Sequence, residues 1–143
     1  MRTPPDAARR AAAFRRMREA QRTEVAEDYV ELIGDLIATT GEARLTDLAE
    51  HLGVSQGTVA KVVQRLQREG LVESLPYRSI FLTARGAVVA AASRERHRIV
   101  HDFLRLLGVD ERTAEADAEG IEHHVSETTL AALKAFIADR TKG

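Results

Sequence analysis

The stretch TDLAEHLGVSQGTVAKVVQRLQREGLVESLPYRSIFLT, residues 46–83, constrains this chain more than any other. Two amphipathic helical segments meet at a glycine, and the apolar period then drops from helical to alternating. Leu48, Ala49 and Leu52 mark the first helix, with Thr46 the expected N-cap and Gly53 just past its end. Ser55 is placed to cap the second helix, whose inner face is Val59, Val62, Val63 and Leu66 and which Gly70 ends. β-branched and aromatic residues then flank Pro76-Tyr77-Arg78-Ser79, a short hairpin. Helix, tight turn, helix, two-stranded hairpin is the order of a winged helix-turn-helix, and it points to DNA binding.

The second helix of that unit presents Ser55, Gln56, Thr58, Lys61, Gln64 and Arg65 away from its apolar stripe. Short polar residues at the helix start can approach base edges, and the N-terminal amides favour phosphate. Lys61 and Arg65 suit phosphates, which give affinity without sequence information. Arg78, at the hairpin tip, is placed for a backbone or minor-groove contact. A solvated helix face would also carry Gln, Lys and Arg, and Gly57 costs about 1 kcal/mol relative to Ala. The ordered combination with a wing is more specific than those residues alone. A monomer reads little DNA, so a homodimer on double-stranded operator DNA is expected, its recognition helices about one helical turn apart.

The flanks are helical. Val25, Tyr29, Leu32, Ile33, Leu36 and Ile37 form one stripe of a helix running from Ala7 to Thr39, with Gly41 as its stop. Thr83 can cap a long helix to about Leu107, closed by Gly108. A shorter helix is expected over 110–124, and Ser126 can cap a last one carrying Leu130, Leu133, Phe136 and Ile137. The fold class is therefore mainly α with a two-stranded β wing. Three regions are expected: a basic arm (1–22), the winged helix-turn-helix (23–83) and a helical dimerisation and metal-binding domain (84–143).

Net charge is −1 and predicts no partner, but its distribution is uneven. Residues 1–22 hold seven arginines against Asp6 and Glu19, whereas residues 95–143 hold ten acidic side chains against seven basic ones. No cysteine is present, so disulfides and thiolate metal sites are excluded and a cytoplasmic location is natural. No apolar run approaches the roughly 20 residues of a membrane helix.

DAEGIEHHVS (117–126) crowds ionisable groups onto one short segment. On a helix Glu119, Glu122 and His123 are i, i+3 and i+4 and share a face, while His124 turns away. Asp28 and Glu31 are an i, i+3 pair beside the buried stripe of the first helix, and His97 lies on the long helix with His101 one turn later. Four carboxylates and two imidazoles suit Mn²⁺ or Fe²⁺. Four carboxylates in one pocket repel each other, and two divalent cations would neutralise them. Each signal alone is also an ordinary polar helix surface.

Taken together, EDYVELI (27–33), LGVSQGTVAKVVQRL (52–66), GLVESLPYRSIFLT (70–83), RERHRIVHDFLRLLGV (94–109) and DAEGIEHHVS resemble the diphtheria toxin repressor family, in its manganese-responsive branch. The resemblance covers about residues 24–137. It implies metal ligands at Asp28, Glu31, His97, Glu119, Glu122 and His123, a homodimer, and Mn²⁺-dependent repression of manganese uptake genes. Iron-sensing relatives carry methionine near the Asp28 position and cysteine at the Glu119 position; both are carboxylates here. The family commonly has Glu where this chain has His101, which bears on the count of two ions.

Three other functions compete. An Fe²⁺-responsive repressor shares the fold. A di-metal carboxylate enzyme would draw Glu-x-x-His from two helices, and only 119–123 approaches that pattern. A regulator answering a small organic ligand needs an apolar pocket, which 4% aromatic residues do little to line, so no such ligand is expected.

Overall fold

The computed structural model describes residues 3, 6–74 and 79–142. The chain runs α1 (Ala7–Thr40), α2 (Leu45–Leu52), α3 (Gln56–Arg68), β1 (Val72–Ser74), β2 (Ile80–Leu82), α4 (Ala84–Leu106), α5 (Glu111–Ile121), a 3₁₀ turn (Glu122–His124) and α6 (Glu127–Thr141). The helix–turn–helix–wing order is as expected. The hairpin tip, including Arg78, lies outside the described residues, so its contact with DNA stays an expectation.

Local chemistry explains most boundaries. Asp6 caps α1 by accepting from the Arg9 amide at 2.8 Å, and Ser55, Thr83, Asp110 and Ser126 cap α3, α4, α5 and α6 in the same way. Thr46 does not cap α2. That helix begins at Leu45 behind Arg44, whose amide donates to the Asp47 carboxylate at 3.1 Å. An acidic residue inside the first turn thus does the work assigned to Thr46. Gly53 closes α2 at φ 66°, the left-handed geometry that lets the chain turn at once into α3.

The core sits where α1 crosses the winged unit. Val30 and Ile33 of α1, Leu48 of α2, Val59 and Leu66 of α3 and Ile80 of β2 are almost wholly buried against each other. The wing is antiparallel, pairing Val72 with Leu82 and Ser74 with Ile80. The Ile80 amide donates to the Ala43 carbonyl at 2.8 Å, which ties the wing to the loop after α1. Gly86 marks a close approach: a Cβ there would lie 2.0 Å from the Leu71 carbonyl oxygen, so only glycine lets α4 start against β1.

α4 then carries the chain away from this core. Ile99 and Val100 of α4 and Ala114 and Ala118 of α5 are buried, but α6 contains no buried residue. Where one helix over 110–124 was expected, α5 stops at Ile121 and tightens into the 3₁₀ turn. Val125 is extended and Ser126 must cap α6, so the chain has four residues, 122–125, between the end of one helix and the cap of the next. No helix among the described residues is long and apolar enough to cross a membrane.

Candidate metal centre and nucleic-acid interface

Four elements of the fold supply the predicted metal-binding residues. α1 packs Val30 and Ile33 inward, which leaves Asp28 and Glu31 on its flank. α4 carries His97, α5 carries Glu119, and the 3₁₀ turn carries Glu122 and His123. A cleft of about 310 Å³ is lined by Asp28, Glu31, Glu119 and Glu122, with His51 of α2 also on its wall. The histidines connect these carboxylates. His123 Nε2 lies 3.1 Å from Asp28 Oδ1 and 3.3 Å from Glu122 Oε1. The other oxygen of Glu122 lies 3.2 Å from His97 Nδ1. Glu31 accepts from the buried Ser93 hydroxyl at 3.0 Å.

Glu122 and His123 are buried, at 3% and 7% exposure. Burial, with Glu31 and Glu119 nearby, pushes the Glu122 carboxyl up to about 7 despite the two imidazoles beside it. Burial opposes a charge on His123, but Asp28, Glu27 and Glu122 outweigh it and raise the ring to about 10. Glu31 is raised as well, by burial first, and the Ser93 hydroxyl partly offsets it. Glu122 Oε2 and His123 Nδ1 are buried without a hydrogen-bond partner among the described residues; His97 Nδ1, 3.2 Å from that Glu122 oxygen, is not aligned for one, and Glu27, 3.7 Å from His123 Nδ1, is too far. Orphaned atoms of this kind in an acidic cluster fit a bound cation, which would neutralise the carboxylates and engage free lone pairs.

Other contacts went unread in the sequence. His97 Nε2 meets Glu115 Oε1 at 3.0 Å and His101 Nε2 meets Glu111 Oε1 at 2.9 Å. Among the described residues, three sets of side chains offer ligand atoms within 4.8 Å of one another: Glu24, Asp28 and His123; His97, Glu115 and Glu119; His101, Glu111 and Glu115. The signal for the second and third was available. Glu111, Glu115 and Glu119 repeat every four residues on α5, opposite a pair of histidines with the same repeat on α4. Glu27, buried and 3.7 Å from Arg96, carried no signal, because beside Asp28 it reads as a plain acidic surface. His124 lies 3.3 Å from Glu24, at the edge of the site.

On α3 the expected DNA-facing residues divide. Gln56, Thr58, Lys61 and Gln64 are exposed on one side of the helix. The Ser55 hydroxyl caps the helix by accepting from the Thr58 amide at 3.1 Å. Arg65 turns inward: it donates to Glu69 at 3.0 Å and to the Arg22 carbonyl of α1 at 2.8 Å. Its side chain holds α3 against α1 and is not presented beside Lys61.

Residues 21–80 match the family profile described as iron dependent repressor, N-terminal DNA binding domain, and residues 83–142 match iron dependent repressor, metal binding and dimerisation domain. The chain belongs to the iron-dependent repressor (DtxR) family. It is 58% identical over 123 residues to the transcriptional regulator MntR of Escherichia coli O6:H1, covering 86% of this chain and 79% of that one. It is 42% identical over 100 residues to the HTH-type transcriptional regulator MntR of Bacillus subtilis, covering 70% of each. Among solved structures it resembles a manganese-dependent transcriptional repressor in complex with manganese, at a TM-score of 0.71 and 30% identity over 79% of this chain and 52% of that one. It also resembles the manganese regulator SloR, at a TM-score of 0.69 and 27% identity over 79% and 53%. The chain spans about half the length of those two structures. As a DtxR-family protein it is a transcriptional regulator that takes a divalent metal, operator DNA and a second copy of itself. It is not an enzyme, which sets aside the di-metal carboxylate enzyme.

Proposed function

We propose that this protein is a Mn²⁺-responsive repressor that binds operator DNA as a metal-loaded homodimer and controls manganese uptake genes. The observation that carries this is the convergence of Asp28 and Glu31, from the helix that cores the DNA-binding half, with His97, Glu119, Glu122 and His123 from the other half. The donors are oxygen and imidazole nitrogen only, a set that suits Mn²⁺ and lacks the thiolate of a softer site. Iron is the runner-up. A repressor acting on operator DNA would do so in the cytoplasm.

Two ions per subunit suit the donor set. Asp28, Glu31, Glu122 and His123 would hold one, and His97 and Glu119 the other. Glu122, whose two oxygens face His123 and His97 separately, would have an oxygen to offer on each side. Bound Mn²⁺ supplies the positive charge that these carboxylates lack. With their charges compensated, Asp28 and Glu31 would no longer repel Glu122, and a cation held by residues of both halves would fix α1 relative to α4. α3 would follow, because Arg65 fastens it to α1. Gln56, Thr58 and Gln64 face bases and Lys61 a phosphate, while Ser55 keeps the helix start in shape. In the homodimer, the exposed Leu106, Leu107 and Ile121 provide apolar surface for the contact between copies.

The test is operator binding by fluorescence anisotropy at fixed salt, with Mn²⁺ or, without oxygen, Fe²⁺ titrated in. A hundredfold gain with Mn²⁺ corresponds to about 2.7 kcal/mol of coupling. It should vanish in His97→Ala and Glu122→Ala. Tight binding that ignores metal would overturn the proposal and favour a regulator answering another ligand.

A further inference from the structure

α1 is a single helix of 34 residues, but its first buried residue is Ala26. The turns from Ala7 to Arg22 extend beyond the body by about 24 Å at 1.5 Å per residue. They carry Arg9, Arg10, Arg15, Arg16, Arg18 and Arg22 against one acidic residue, Glu19. Among the described residues, every ion pair made by α1 falls at Glu24 or later. Six cations within about four turns of one helix repel one another, and none is ion-paired among the described residues.

Their arrangement is directional. Arg15, Arg18 and Arg22 stand at i, i+3 and i+7, one stripe of the helix. Continued by the same period, that stripe becomes Ala26, Tyr29 and Ile33, the face buried against the winged unit. The arginines therefore prolong the side of α1 that holds the DNA-binding lobe. The root of the extension is also fastened to the recognition helix, because Arg65 donates to the Arg22 carbonyl at 2.8 Å. The extension is thus tied to the recognition helix and moves with it.

We propose that the Arg15–Arg18–Arg22 face is a second DNA-contact surface, which binds phosphates of the duplex flanking the operator. The proposal rests on the operator binding argued above. Arginine forks take phosphate oxygens in pairs, and such contacts add affinity without sequence preference. A second copy of the chain is the rival occupant, because Phe14 and Met17 are about half exposed on another side of the same turns.

The experiment compares wild type with Arg15→Gln/Arg18→Gln/Arg22→Gln and with the matching triple lysine variant, all Mn²⁺-loaded. Two duplexes are used: the bare operator and the operator lengthened by about one helical turn at each end. Each phosphate contact contributes about 0.9 to the slope of log K against log salt. On the long duplex the glutamine variant should lose about two to three units of slope and bind at least tenfold more weakly, with the lysine variant close to wild type. Half-activation by Mn²⁺, dimerisation and thermal unfolding should stay unchanged, because these side chains bury nothing. Equal slopes for wild type and glutamine variant on both duplexes would overturn the proposal, as would loss of the dimer in the glutamine variant. Absence of Mn²⁺-stimulated binding in wild type would overturn the metal reading instead, and the slope difference on the same duplexes would still decide the arginine face.

Discussion

Around Ile33, Leu48, Val59 and Leu66 the chain buries side chains that have no polar atoms. Around Glu122 and His123, against the flank of α1, it buries ionisable ones, and two of their atoms lack a hydrogen-bond partner among the described residues. The first core is complete within one chain, since apolar burial alone drives it. The second region is not. α6 buries nothing fully, and Leu106, Leu107 and Ile121 lie exposed. A self-sufficient reading head is thus joined to a part that, on the proposed reading, a cation and a second copy complete. That division is what a metal-controlled regulator requires, because only the second part needs to respond.

Breaking the first core should have the largest effect. Ile33→Ala removes a fully buried side chain at the centre of the DNA-binding lobe and should cost about 2–5 kcal/mol. Denaturant unfolding should show that loss with or without Mn²⁺, and operator binding should fall in both conditions. Glu122→Gln should do the opposite. It removes the charge of a buried carboxyl that the metal-free fold does not satisfy, so thermal stability without metal should hold or rise. The Mn²⁺-dependent gain in operator affinity should nevertheless collapse, by about a hundredfold if the coupling is as large as argued.

Smaller changes sharpen the comparison further. Ile121→Asp puts a charge on the exposed apolar surface of the second region and should weaken the dimer by tenfold or more in sedimentation, leaving the unfolding of the first core intact. Glu119→Cys should shift the metal that best activates DNA binding from Mn²⁺ toward Zn²⁺, Co²⁺ or Fe²⁺, read by anisotropy with each metal in turn. Lys61→Ala should give the smallest effect, a uniform loss across operator variants and a salt slope shallower by about one.

The first core was largely legible in the sequence, because its residues obey a period. Val59, Val63 and Leu66 mark a helix face, and the switch to alternation after Gly70 marks the wing. The misses there are local: Thr46 looked like a cap, but Asp47 reaching back to the Arg44 amide decides where α2 starts. In the second region the period misled. Glu119, Glu122 and His123 were placed on one α-helical face, yet the last two stand on a 3₁₀ turn, set by the short distance to the Ser126 cap. Glu115 and Glu27 reach the histidines through packing of α5 and α1 against α4, and the spacing within one segment does not reveal it. Arg65 illustrates the same limit: an exposed position by pattern, it is engaged by a carbonyl 43 residues away.

Linkage is the central claim: metal and operator stabilise the same arrangement of α1 against α4. Mn²⁺ binding by calorimetry, with and without saturating operator duplex, tests it most directly. Reciprocity requires operator DNA to tighten Mn²⁺ binding by the same factor by which Mn²⁺ tightens operator binding. Equal Mn²⁺ affinity in the two titrations would contradict the account and leave the buried Glu122 and His123 without a part in DNA recognition.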